Sequence, residues 1–245
     1  MMRKLHHLRI ATYNVHKCRG LDRRVSPARI ATVLCELDAD IIALQEVVSV
    51  AGGSRERDQA RFFAEELKYK YCLGENRRLQ GGAYGNVILS RTPVREAYNY
   101  DLSWRRRERR GCLRVDVELK NGQLLHVFNV HLGLTFAERR YQARKLVGPE
   151  ILANTHLQGM RVVLGDFNDW TRGLPSRLLA GHLESVDIRH HLGRTKTYPG
   201  VLPFLHLDHI YFDAALQLEQ LTLHRSRTAL VASDHVPLVA EFSLQ

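Results

Sequence analysis

Carboxylates, amides and imidazoles stand where short apolar runs of this 245-residue chain end: Asn14, Glu46, His131, Asp166 with Asn168, Asp208 with His209, and Asp234 with His235. Taken singly they say little, because Asn and Asp are ordinary loop residues and a lone Glu after a strand usually faces solvent. Taken together they are the groups needed to cut a phosphoester. Asp166 and Asn168 are two residues apart, so an extended segment would turn both to one face. A carboxylate there can orient or deprotonate an attacking water, while the neutral amide donates to a nonbridging phosphate oxygen without adding a repelling charge. Oxygen donors such as Glu46, with few soft donors nearby, suit Mg²⁺, with Mn²⁺ as a substitute, over Zn²⁺. The histidines lack zinc spacing: His6-His7 and His190-His191 are adjacent pairs whose side chains diverge, and they read as surface residues.

The elements that must carry these groups are legible in outline. An apolar run over 9–13 reads as a buried strand leading into the 14–24 loop. Ser26-Pro27 is an N-cap and first-turn pair, and Ile30, Val33, Leu34 and Leu37 keep helical spacing as far as Asp38. Residues 41–44 are β-like and deliver Glu46. A charged helix is expected over 56–68, with Phe62, Phe63 and Leu67 inward. Gly81 to Gly85 reads as a turn-rich connection into a strand over 86–90, and Pro93 opens another strand near Val94. Strands over 112–119 and 124–130 are joined by Asn121-Gly122, a strong hairpin signal. A helix is expected over 138–153 with Tyr141, Leu146 and Ile151 inward, broken or kinked at Gly148-Pro149. A strand over 162–164, a short helix over 173–183, and strands over 207–212 and 235–242 complete the pattern. It suits the α/β class, with two mixed sheets face to face and helices outside, in a single domain over 1–245.

The blocks Thr12-Tyr13-Asn14-Val15-His16, Leu44-Gln45-Glu46-Val47, Asn129-Val130-His131-Leu132, Gly165-Asp166-Phe167-Asn168, Leu207-Asp208-His209-Ile210 and Ser233-Asp234-His235-Val236-Pro237 run from the first strand to the last. In this order they resemble the endonuclease/exonuclease/phosphatase superfamily, which includes DNase I, AP endonucleases, neutral sphingomyelinases and inositol polyphosphate 5-phosphatases. The resemblance implies a DNase I-like four-layer α/β/β/α sandwich and metal-assisted, in-line attack of water on a phosphoester. It implies that Glu46 binds the metal, that Asn14 supports metal or phosphate, and that Asp234 lies beside the metal. Asp166 would position or activate water with the help of Asn168. Asp208 would fix the tautomer of His235, which acts on the phosphate or as general base, and His131 would donate to a phosphate oxygen or to the leaving group. Which histidine is acid and which is base stays open. His131 stands where AP endonucleases carry tyrosine, and His16 where they carry an acidic residue, so an abasic-site enzyme is disfavoured. The Tyr-Asn-x-His-Lys opening resembles small bacterial stand-alone members.

A formal net charge of +10 favours polyanionic partners. Five arginines crowd into 104–110, and Arg109 and Arg110, with His16, Lys17 and Arg19, are candidates for phosphate contact; a solvated hairpin arm would look the same. A nuclease acting on DNA or RNA is therefore the first reading, and a phosphodiesterase or phosphatase for a lipid headgroup, inositol phosphate or small phosphoester the second. A catalytically dead basic binding module is disfavoured because every expected block keeps its functional side chain. The four cysteines form no CxxC pair and read as reduced thiols. Without an apolar signal core or a run of ~18 apolar residues, a cytoplasmic protein with no transmembrane segment is expected, and no obligate protein partner is evident.

Overall fold

The computed structural model describes residues 6–119, 121–169, 173–185 and 206–244. In chain order the elements are β1 (His6–Asn14), α1 (Pro27–Leu37), β2 (Ile41–Ser49), α2 (Gln59–Leu67), β3 (Lys70–Leu79), β4 (Gly82–Ser90), β5 (Val94–Asp101), β6 (Gly111–Glu118) and β7 (Leu124–His131). They continue with α3 (Phe136–Leu146), β8 (Met160–Asp166), α4 (Leu174–Ala180), β9 (Glu184–Ser185), β10 (Asp208–Phe212), β11 (Leu216–Leu223), a short helix α5 (Ala229–Ala232) and β12 (Leu238–Leu244). Two six-stranded sheets result, in the orders β11-β12-β1-β2-β4-β3 and β5-β6-β7-β8-β10-β9. Each sheet is mixed, with one parallel pair at its centre: β1 with β2, and β7 with β8.

The sheets face each other across a core that includes Ile10, Ile41, Ile88, Val115, Val127, Leu164 and Phe242. The opposite strand faces carry Ile42, Leu44 and Leu89 under α1 and α2 on one side. On the other side they carry Phe128, Val130 and Val163 under α3 and α4. Central strands buried on both faces explain why the sequence shows continuous apolar runs there and no clean alternation. The architecture is the expected α/β/β/α sandwich.

Most elements follow from local chemistry. Ser26 caps α1, its hydroxyl accepting from the Arg29 N–H at 3.3 Å with Pro27 in the first turn. Pro93 precedes β5, and Gly122 takes φ +80° in the β6–β7 hairpin. Three expectations are corrected. The segment from Gly82 to Gly85 is strand, and the turn sits one step earlier, at Gln80 and Gly81, both at positive φ. Glycine is needed inside that strand because a Cβ on Gly85 would fall 1.9 Å from the Gly74 carbonyl oxygen. The helix expected over 138–153 spans only Phe136–Leu146, and Tyr141 lies outward; Glu138, Arg139 and Gln142 are buried instead, Arg139 and Gln142 holding the backbone of Gly133 and Leu134 and Glu138 accepting from Gln142. The last strand begins at Leu238, leaving His235 in the loop before it. Strands β3, β9 and β11 were not anticipated. Of the paired surface histidines, His7 is exposed, and His190-His191 fall outside the described residues.

Candidate active site

The central parallel strands of both sheets end on the same side of the sandwich, and the functional side chains sit at those ends. In the second sheet, His131 closes β7 in register with Asp166 at the close of β8, and Asp208 opens β10 opposite Asp166. Pairing alone thus sets an imidazole and two carboxylates abreast on neighbouring strands. Gly165 makes the approach possible: it holds φ +140°, and a Cβ there would lie 1.9 Å from the Val130 carbonyl oxygen. Asp166 then caps its own turn, accepting from the Asn168 N–H at 2.9 Å, while the Asn168 side-chain amide donates to the Leu132 carbonyl at 2.9 Å. Asn168 is at φ +49°, so a turn, not an extended segment, keeps the two residues together.

The first sheet supplies the other half. A bulge between Leu44 and Val47 puts Glu46 at φ +59°. At the end of β1, the Asn14 amide donates to Asp166 Oδ2 at 3.0 Å and to Glu46 Oε1 at 3.4 Å, bridging a carboxylate from each sheet, and its oxygen accepts from the His16 N–H. The Ser233 hydroxyl donates to the Asn14 carbonyl at 2.8 Å and accepts from the His235 N–H, bringing the loop before β12 to the same point. His16, Lys17 and Cys18 are all left-handed, at φ +46°, +56° and +60°. Three such non-glycine residues in a row are costly, at roughly 1–2 kcal/mol each. The strained turn places Lys17 against Glu46 and His16 Nδ1 3.3 Å from Asp234 Oδ1.

Two imidazoles face one oxygen. His131 Nε2 is 3.5 Å and His235 Nε2 3.6 Å from Asp166 Oδ2, and all three side chains are buried. Their charges differ. Burial and the Arg110 guanidinium push His131 down to about 4, against the pull of Asp166 and Glu46, so it is neutral near pH 7. Burial would also depress His235, but Asp208, whose Oδ2 accepts from His235 Nδ1 at 2.9 Å, and Asp166 overcome it and raise the group to about 10. A neutral and a charged imidazole pointing at one carboxylate oxygen form a pair whose environments drive their protonation apart, the pattern of an acid–base site. Burial likewise works to raise the Glu46 carboxyl, but the neighbouring donors, with the paired Lys17 ammonium as the charged one, outweigh it and hold it at about 2.

Asn14, Glu46, His131, Asp166, Asn168, Asp208, Asp234 and His235 all stand in this cluster or touch it. His16 and Lys17 lie at its edge. Arg110 is buried beneath it, Nη1 at 3.1 Å from His131 Nδ1 and Nη2 at 3.0 Å from Glu108, whereas Arg109 is exposed on the β5–β6 connection. Sequence reasoning did not single out Glu108, Ser233, or the buried amides of Gln45, Asn86 and Asn129. Gln45 donates to Asn129 Oδ1 at 2.8 Å, and Asn129 donates to the carbonyls of Leu44 and Val87, pinning one sheet to the other just below the site. A polar amide inside an otherwise apolar strand run was the available signal.

The sequence profile of the endonuclease/exonuclease/phosphatase family matches residues 11–235. The chain is 32% identical over 249 residues to the "Uncharacterized protein YbhP" of Escherichia coli strain K12, covering 96% of each. Among solved structures it resembles an endonuclease/exonuclease/phosphatase family protein from Bacteroides thetaiotaomicron, at TM-score 0.80 and 17% identity over 99% of both chains. It also resembles a mannosyl-6-phosphatase of Bacteroides thetaiotaomicron VPI-5482, at TM-score 0.75 and 18% identity over 96% of this chain and 99% of that one. With its profile matched from β1 to the loop before β12, the chain belongs to the endonuclease/exonuclease/phosphatase family of phosphoester hydrolases.

Proposed function

We propose that the protein is a Mg²⁺-dependent phosphodiesterase that hydrolyses the backbone of DNA or RNA. The observation that carries the reading is the meeting of His131 and His235, one neutral and one protonated, on Asp166 beside an ionised Glu46. No cluster of three or more His, Cys, Asp or Glu side chains at ligating geometry occurs among the described residues. The donors present nevertheless fit a hard cation. Glu46 is held ionised and already takes a cation, the Lys17 ammonium, and the nearby thiol of Cys18 is buried with its pKa pushed up, first by burial. Glu46, Asn14 and Asp234 would hold Mg²⁺ or Mn²⁺, which would neutralise charge on the phosphate oxygens. The chain's own residues account for the proton movements. Asp166 orients a water in line with the scissile bond and takes its proton as the new P–O bond forms. His235, held by Asp208, gives its Nε2 proton to the departing oxygen as the old P–O bond breaks.

Nucleic acid is favoured as substrate by the charge of +10 and by the exposed Arg105, Arg106, Arg107 and Arg109 on the connection that leads to Arg110. Arg105 lies over the Trp104 ring at 4.7 Å. A second reading, a lipid headgroup, inositol phosphate or small phosphoester, draws on the exposed Leu134 and Phe136 just beyond His131 and on the neighbour that is a sugar phosphatase. A cytoplasmic location belongs to the same proposal; no helix among the described residues is long and apolar enough to cross a membrane. Nicking of supercoiled plasmid with Mg²⁺, beside EDTA and Asp166→Ala controls, tests the first reading. Metal-dependent nicking lost in the variant is expected. Failure to nick by folded protein, with release of phosphate from a sugar or inositol phosphate, would transfer the assignment to the second.

A further inference from the structure

The buried Arg110 raises a question that its family membership does not answer. An arginine side chain has five N–H donors and no acceptor. Its Nη1 stands 3.1 Å from His131 Nδ1, so that ring nitrogen must be the acceptor and cannot carry a proton. The single proton of a neutral imidazole is thereby confined to Nε2, the nitrogen that faces Asp166. The geometry points to Arg110 as a positioning residue that locks His131 in the Nε2–H tautomer, making His131 a fixed hydrogen-bond donor to a phosphate oxygen and leaving proton transfer to Asp166 and the Asp208–His235 pair.

Both terminal nitrogens of Arg110 are engaged. Its Nη2 pairs with Glu108 Oε2 at 3.0 Å, and the other oxygen of Glu108 takes Arg77 at 2.9 Å. Arg77 in turn lies over the Tyr84 ring at 4.6 Å. The backbone is fixed too: the Arg110 carbonyl accepts from the Leu102 N–H at 2.8 Å, and its N–H donates to the Ser103 hydroxyl at 3.3 Å. With 5% of its surface exposed, Arg110 is not a side chain on the rim waiting for phosphate. A buried guanidinium at Nδ1 also opposes a second proton on the ring, since that proton would have to replace an accepted hydrogen bond and add charge beside charge. A carboxylate at this position would do the reverse, drawing a proton to Nδ1. The two histidines are therefore set apart by their outer partners: a cation behind His131, an anion behind His235.

The assignment rests on the phosphodiesterase reading for its catalytic meaning, but its test does not. Long-range ¹H–¹⁵N spectra of the full-length, metal-free protein near neutral pH, with His131 assigned through His131→Gln, show which ring nitrogen bears the proton. The proton is expected on Nε2 in the native protein and to be shared between both nitrogens in Arg110→Met. Arg110→Lys, which keeps a donor, should restore the Nε2 form. With bis(p-nitrophenyl) phosphate, Arg110→Met should lower kcat on the order of 10- to 100-fold with KM little changed, and Arg110→Lys should recover part of it. A native His131 protonated on Nδ1, or an Arg110→Met spectrum identical to the native one, overturns the assignment. If Arg110→Met does not fold, the native spectrum and Arg110→Lys decide. A protein that shows the expected tautomer but turns over no diester would sink the phosphodiesterase reading and leave the role of Arg110 in the tautomer standing.

Discussion

At the scale of single residues, the same imidazole becomes three different groups according to what stands behind it. His131 backs onto a guanidinium, His235 onto a carboxylate, and His209 onto the Phe167 and Tyr211 rings with its Nε2 3.3 Å from the Asp169 carbonyl. Removing the carboxylate behind His235 should disarm it: Asp208→Asn is expected to lower kcat by roughly 10²- to 10⁴-fold, the usual range for losing an acid–base group, without unfolding the protein. A steady-state assay beside circular dichroism checks this, and a loss under tenfold would contradict it. Burial pushes the His209 imidazole below its ordinary value, against Asp169 and Asp208. Its folded value thus lies below the unfolded value of about 6.5. The unfolded chain binds the proton more readily, so this contribution to stability is full above about pH 6.5 and is lost as the pH falls through the folded value. His131, at about 4, acts with the same sign, whereas His235, at about 10, acts with the opposite one: its contribution is full below about pH 6.5 and is lost as the pH rises toward the folded value. Thermal melts of metal-free protein should show Tm falling as the pH drops below about 6.5, where the two depressed imidazoles outweigh His235, with a shallower slope in His209→Gln; parallel slopes would refute the attribution. Asn14, Glu46, Asp166 and His235 were legible because each closes or follows an apolar run. Their partners were not: Glu46 meets Lys17 across 29 positions and Arg110 meets His131 across 21, pairings that only the packed sheets create.

At the scale of elements, the core strands could be read and the edge strands, β5 excepted, could not. Strands β1, β2, β7 and β8 are buried on both faces and announce themselves as apolar runs. Strand β3 is an edge strand with Lys70, Glu75, Arg77 and Arg78 in it, and β11 is an edge strand with Gln217, Glu219 and Gln220. Charged and amide residues on an exposed edge guard against pairing with other chains, and the same residues erase the strand signal. Helix α3 misled for a related reason. Its inward face is polar over the first two turns, because Arg139 and Gln142 fasten the Gly133–Leu134 backbone and Glu138 accepts from Gln142, so inward spacing assigned from apolar residues chose Tyr141 wrongly. Gly165 joins element to site. Gly165→Ala brings a Cβ against the Val130 carbonyl at a φ that side chains avoid, and roughly 3 kcal/mol of stability should be lost. Chemical denaturation measures the loss, and a change within about 0.5 kcal/mol would show that the β7–β8 approach is not as tight as described.

At the scale of the whole molecule, charge governs encounter. If nucleic acid is the ligand, binding to a labelled duplex in EDTA should weaken with salt, with a logarithmic slope of about −0.9 for each phosphate neutralised. Replacing Arg105, Arg106 and Arg107 together with glutamine should reduce that slope by about two to three. Fluorescence anisotropy across a salt series decides; an unchanged slope would mean that these arginines point away from the path of the strand.

The Asn14 amide, which touches Glu46 from one sheet and Asp166 from the other, has a consequence for how activity arises as the chain folds. Neither sheet owns the candidate site. One brings Asn14 and Glu46, the other His131, Asp166 and Asp208, and the loop before β12 adds His235 only when the final strand pairs with the first. On the proposed roles, a chain whose amino-terminal half alone has formed cuts nothing, and hydrolysis begins only when β12 has paired with β1.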